Sequence, residues 1–211
     1  MSLHAGQRLR LSGQEPKLNL SAFYSAFFPT LWAAWLATWF ALARNVKANV
    51  RRQAALPRLA NVALLFVAAA LLTARHVRVP ALMARFLPAS QWQAWWIVGA
   101  VLTVAGLLFA VWARVYLGRN WSGVVTVKAG HELITGGPYR LVRHPIYTGL
   151  ALAFAGTGLA IGQWRAVLAF ALVLIAIVHR IIVEERFMRE QFGTAYDEYA
   201  RRVKALVPGV I

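Results

Sequence analysis

The sequence contains no cysteine among its 211 residues, which removes disulfides, thiolate nucleophiles and cysteine-ligated metals together. It is also poor in acid, with seven Asp and Glu against 23 Lys and Arg. That surplus suggests nucleic acid, but the basic residues fall in connectors between apolar runs. The asymmetric loading of membrane loops accounts for them there, so no nucleic-acid partner is expected. The five histidines, His4, His76, His131, His144 and His179, show neither HxxxH nor HExxH spacing, and no metal site is expected. A dinucleotide fingerprint is missing as well: Gly156-Thr157-Gly158-Leu159-Ala160-Ile161 lacks a third glycine and a preceding strand, and reads as helix packing. The first twenty residues are polar and lack the apolar core and cleavage site of a signal peptide, so the first apolar run is expected to direct insertion.

What is abundant is apolar length. Hydrophobic residues make up 60% of the chain and charged ones 14%, with nine Trp and a mean hydropathy of +0.55, far from a water-soluble composition. Apolar runs at 23–43, 59–74, 92–113, 146–161 and 164–183 predict an all-α polytopic membrane protein of about five transmembrane helices. The second run is short for a full crossing. The fourth and fifth, separated by Gly162-Gln163, predict a tight antiparallel hairpin. Gly158 and Gly162 suggest a small-residue strip on the fourth helix. Trp32, Trp35, Trp39, Trp92, Trp95, Trp96 and Trp164 include several near run ends, as in an interfacial belt. Of the 23 basic residues, 16 lie in the segments 44–58, 114–145 and 180–211. The larger share belongs in the cytoplasm, which predicts the N-terminus outside and the C-terminus inside.

Polar chemistry concentrates in residues 131–149, HELITGGPYRLVRHPIYTG, between two apolar spans. Gly136, Gly137 and Pro138 predict a tight turn, and Arg143-His144-Pro145 opens the next helix. Six of the seven acids, Glu132, Glu184, Glu185, Glu190, Asp197 and Glu198, lie in this loop or the C-terminal region. The tail charges describe a solvated or interfacial amphipathic helix. Glu184 and Arg180, four residues apart on one helix face at the end of the fifth span, read equally as a structural ion pair or as a site.

GPYRLVRHPIYTG, preceded by GHELI and followed by EER and then FGTAYDEY, resembles the isoprenylcysteine carboxyl methyltransferase family of integral membrane enzymes. The resemblance is strong over residues 118–203 and weak before them. Phospholipid N-methyltransferases share the RHPxY-like turn and the acidic pair, and sterol reductases share parts of the pattern. The resemblance implies a single domain over 1–211, with N-terminal helices in 1–113 and a catalytic half in 114–211. It implies methyl transfer from S-adenosylmethionine, held between the loop before the fourth helix and the end of the fifth. His131, Glu132, Leu133 and Ile134 match the family's cofactor segment, Tyr139 its aromatic cofactor contact, and His144, Pro145, Ile146 and Tyr147 its HPxY. Glu184 falls on the cofactor-binding acid and Arg180 on the arginine that meets the substrate carboxylate. The chain departs from the pattern at Val124, where the family has a Gln.

The residue chemistry is compatible with those roles. A helix opened by Pro145 offers first-turn N–H groups to a carboxylate, Glu184 suits an ammonium, and Tyr139 and Tyr147 offer ring faces to adenine or a sulfonium. A carboxylate acceptor needs positioning, which Arg180 supplies, and no strong base. A phospholipid amine would need one, from Glu185 or His144. The alanine- and arginine-rich, lysine-poor composition points to a bacterial inner membrane, where prenylated proteins are not expected, so the expectation is carboxyl O-methylation of a prenylcysteine-like or other lipophilic carboxylate reached from the surrounding membrane lipids, with phospholipid or amine N-methylation as the alternative. A sterol-reductase-like enzyme using NADPH is the remaining alternative.

Overall fold

The computed structural model describes residues 20–43, 49–52, 55–74, 78–121, 126–128 and 132–210. Among the described residues there are five long helices: α1 (Leu20–Leu42), α2 (Ala55–Thr73), α4 (Trp92–Leu117), α5 (Pro145–Ile161) and α6 (Trp164–Phe192). Two shorter ones, α3 (Pro80–Met83) and α7 (Thr194–Arg202), sit in the connection to α4 and after α6. A small antiparallel pair, β1 (Asn49–Arg52) with β2 (Thr126–Lys128), joins the α1–α2 and α4–α5 connections. An expectation of helices alone did not include it.

The protein is integral to the membrane. Three helical segments, Ala22–Leu42, Ala89–Leu117 and Trp164–Phe192, are long and apolar enough to cross, while Leu59–Thr73 and Pro145–Ile161 are shorter apolar helices. α6 runs 29 residues, about 43 Å at the α-helical rise, whereas the hydrocarbon core is about 30 Å thick. Its last turns therefore project beyond the apolar run that ends at residue 183, carrying Glu184 and Glu185 to the boundary.

α4 and α5 pack closest. Gly99 and Gly106, two turns apart, face Gly156 and Gly149 of the antiparallel partner: a Cβ at Gly99 would lie 2.4 Å from the Gly156 carbonyl, and one at Gly106 2.4 Å from that of Gly149. Between the two glycine pairs the Thr103 hydroxyl reaches the Ala153 carbonyl at 3.2 Å and the Thr157 hydroxyl at 3.3 Å. Small residues admit this approach because backbone contact, not hydrophobic gain, joins helices in lipid. The expected strip at Gly158 and Gly162 is different. A Cβ at Gly158 would meet that of Ala166 across the hairpin at an ordinary 3.6 Å, and Gly162 takes φ +64 to end α5. The hairpin is then clamped by Phe86 N–H on the Gly162 carbonyl and Trp164 N–H on that of Ala84.

Buried arginines finish two helices. Arg165 donates to the carbonyls of Leu71 and Leu72 at the C-terminus of α2. Arg114 donates to those of Leu42, at the end of α1, and Gly118, and lies over the Trp121 ring at 4.2 Å. A guanidinium is suited to such places, since orphan C-terminal carbonyls carry partial negative charge.

Candidate active site

The loop before α5 folds because its sequence offers no other course. Gly137 takes φ +56 with the Tyr116 ring packed where a side chain would stand. Pro138 follows inside a 3-10 turn over Gly137–Arg140. Pro138, Tyr139 and Val142 are buried. His144 is the N-cap of α5 without a side-chain capping bond; its carbonyl accepts the Thr148 N–H at 3.0 Å, which frees its ring for other contacts.

The tail straps this loop. Arg143 N–H donates to the Lys204 carbonyl at 2.8 Å and His144 N–H to that of Ala205 at 3.0 Å, while the Thr148 hydroxyl reaches Leu206 O at 2.8 Å. Tyr199 of α7 donates its hydroxyl to Tyr139 O at 2.6 Å. Burial pushes the Tyr199 phenol up to about 12, with Arg143 opposing, and raises Tyr139 well above the ordinary phenol, with Glu184 and Tyr199 adding to the rise and Arg114 opposing it. Both remain neutral donors at physiological pH.

Glu185 is the hub of this assembly. Its Oε1 accepts from Arg143 at 2.6 and 3.0 Å and lies 3.3 Å from His144 Nε2, and its Oε2 accepts from Arg189 at 2.9 Å. Arg189 also lies 3.4 Å from Asp197 and 5.7 Å from the Tyr196 ring centre, tying α6 to α7. Glu185, expected as a catalytic base, has both oxygens engaged by cationic or histidine donors and does not line the cavity described next. Hydrogen bonds and charges of that kind hold a carboxylate in its ionised form.

That cavity, of about 400 Å³, lies among α1, α2, α5 and α6 above the loop. Glu132, Leu133, Ile134, Tyr139, His144, Pro145, Ile146, Tyr147, Arg180 and Glu184 all line it, so the structure gathers residues separated by about fifty positions in the chain. His131 and Val124 lie outside the described residues. Arg180 and Glu184 meet through Tyr147: Arg180 Nε donates to the Tyr147 oxygen at 2.5 Å, and the Tyr147 hydroxyl donates to Glu184 Oε2 at 2.8 Å. The His144 ring stacks near Tyr147, 5.7 Å between centres at 23°.

Away from the loop the lining becomes apolar, with Val62 and Leu65 of α2, Leu150 and Phe154 of α5, and Val173 and Ile177 of α6. Trp35 and Trp39 of α1 complete the wall. They stack at 4.8 Å and 29°, Trp39 meets Trp121 edge-on at 5.4 Å, and Trp32 packs on Phe154 at 4.7 Å. Expected as members of an interfacial belt, Trp35 and Trp39 instead face the cavity. Sequence reasoning missed these two, Asn61 and the Arg143–Glu185–Arg189 hub. The spacing of Trp35 and Trp39 by four, one helix face, was the available signal.

The arrangement is that of a polytopic helical membrane protein with an amphipathic cavity, charged at one end and lipophilic at the other. Comparison with known proteins gives the relationship. The sequence model of the family described as phospholipid methyltransferase matches residues 94–195. A probable protein-S-isoprenylcysteine O-methyltransferase of Oryza sativa subsp. indica is 38% identical over 114 residues, covering 53% of this chain and 60% of the relative. Protein-S-isoprenylcysteine O-methyltransferase B of Arabidopsis thaliana is 32% identical over 123 residues, covering 56% and 62%. The eukaryotic intramembrane Ras methyltransferase, isoprenylcysteine carboxyl methyltransferase, shares the fold at a TM-score of 0.53 and 22% identity over 74% of this chain and 52% of that one. Over about half its length the chain is similar to proteins named isoprenylcysteine O-methyltransferases, and it spans about 60% of the length of the two plant relatives.

Proposed function

We propose that the protein transfers a methyl group from S-adenosylmethionine to the carboxylate of a lipophilic acceptor. The observation that carries this reading is the Arg180–Tyr147–Glu184 chain at the charged end of a cavity whose other end is apolar. S-adenosylmethionine, when bound, supplies the electrophilic methyl group. The donor set fits it. Glu184 keeps an oxygen that Tyr147 does not occupy, suited to the ammonium, and the first turn of α5 presents N–H groups of Ile146 and Tyr147 to a carboxylate. Tyr139, Leu133 and Ile134 form a slot of the polarity adenine requires.

The chain's own work is positioning and exclusion of water. Arg180, fixed by the Tyr147 oxygen, holds the acceptor carboxylate in line, and a carboxylate that is already ionised loses no proton in the reaction. Trp35, Phe154 and the aliphatic lining of α2 and α6 receive the tail and keep the reacting oxygen dry. The acceptor reaches this end laterally from the bilayer, and the cofactor reaches the charged end from the cytosol. This topology has five crossings, the N-terminus outside and the loop and tail inside, in a bacterial inner membrane. A second reading, N-methylation of a phospholipid amine, is favoured by the family description of residues 94–195. It requires a proton acceptor at the cavity, and His144 is the candidate that lines it.

Isothermal titration of the detergent-purified protein against S-adenosylmethionine and NADPH tests the cofactor. Binding of the first and not the second is expected. Binding of NADPH alone would move the protein to a reductase reading.

A further inference from the structure

Asn61 stands apart from its surroundings. It is the only polar side chain in the α2 run from Leu59 to Leu72, yet it is buried at 8% exposure and lines the cavity. Its carboxamide is held on two sides: His179 Nδ1 donates to Asn61 Oδ1 at 2.9 Å, and Asn61 Nδ2 donates to the Ala176 carbonyl at 3.4 Å. A carboxamide has two N–H donors and two acceptor lone pairs, so these bonds fix its plane while leaving one N–H and one lone pair. A polar group at the edge of the apolar span, oriented by a partner and facing a cavity, marks a ligand contact more readily than a packing residue, since leucine would fill the place without desolvation cost.

Its height fixes what it could touch. Ala176 and Arg180 are four residues apart on α6, about 6 Å along the helix axis. A ligand whose carboxylate rests on Arg180 therefore places atoms four or five bonds away beside Asn61, where its head joins its tail. α2 lies outside residues 94–195, the span that matches the phospholipid methyltransferase model.

Resting on the carboxylate reading above, we infer that Asn61, oriented by His179, is a specificity-determining residue that hydrogen-bonds a second polar group, an amide or ester next to the tail, in an amphiphilic carboxylate acceptor. The acceptor class is then an N-acylated or esterified lipid acid, in preference to a plain fatty acid.

The test uses the full chain in lipid nanodiscs and two probes with the same carboxylate and tail. One is an N-acetylated S-prenylcysteine, the other the prenylthiopropionate that lacks the amide. Direct binding is read by quenching of tryptophan fluorescence, and turnover by labelled-methyl transfer. The wild type should bind the amide probe about tenfold more tightly. Asn61→Leu should reduce that preference to about twofold or less while binding the propionate as well as before. His179→Ala, which disturbs the amide without altering a cavity-lining side chain, should reduce the preference in the same direction and serves if Asn61→Leu does not fold. An unchanged preference in either folded variant, or none in the wild type, overturns the inference and leaves Asn61 a tie between helices. Discrimination in binding without methylation of either probe would uphold Asn61 and overturn the proposed reaction. Binding of neither probe overturns both.

Discussion

The Tyr147 hydroxyl accepts from Arg180 and donates to Glu184, so two charges that a direct ion pair would make equivalent stand on opposite sides of a neutral bridge. Their substitutions should therefore fail differently. Glu184→Gln should weaken S-adenosylmethionine binding by about 2 kcal/mol, the scale of a lost charged hydrogen bond. Arg180→Ala should keep that affinity and lower turnover by about 100-fold, the scale of a misplaced reactant. Titration calorimetry and initial rates separate the two; equal losses of thermal stability with cofactor affinity intact would make the trio structural. Arg180, Glu184 and Tyr147 were legible in the chain because i, i+4 spacing puts two of them on one face and the HPxY motif supplies the third. The direction of Glu185 was not legible. Successive helix residues point about 100° apart, so the acid beside Glu184 looks toward the strap of Arg143 and Arg189 and away from the cavity, a direction that spacing alone does not disclose without the tail in place.

At the scale of helices, the α4–α5 contact turns on which glycines meet backbone. A Cβ at Gly156 would lie 2.5 Å from the Gly99 carbonyl and 2.6 Å from the Thr103 nitrogen, whereas one at Gly158 meets the Ala166 side chain at 3.6 Å. Gly156→Ala should therefore destabilise by about 1 to 3 kcal/mol, the cost of overpacking. Gly158→Ala should be neutral or gain up to about 1 kcal/mol from helix propensity. Thermal unfolding in detergent compares them, and similar shifts would mean the two helices are not in backbone contact. The sequence located each of the five long helices but not this pairing. Two glycines seven apart carry meaning only once the antiparallel partner with the same spacing is known. The indoles of α1 were ambiguous for a similar reason: a tryptophan near a helix end suits a lipid interface and a ligand wall alike, and the neighbour decides.

For the molecule as a whole, one polar loop, the ends of α5 and α6 and the tail converge on one end of the bundle, and the proposed topology, resting on the uneven loading of basic residues, puts that end in the cytosol. A C-terminal tag should be protected from impermeant reagent in intact cells and an N-terminal one labelled; the reverse pattern would put the cofactor site on the wrong side for a cytosolic methyl donor. The central claim is the transfer itself. Protein in lipid vesicles, given S-adenosylmethionine labelled in its methyl group and a lipid extract, should produce lipid-soluble label that mild alkali releases as volatile methanol, the mark of a carboxyl ester, and Arg180→Ala should lower its rate of formation by about 100-fold. Label that alkali leaves non-volatile, whether in lipid or in a released headgroup, would show methylation at nitrogen, and no label at all despite cofactor binding would contradict the account.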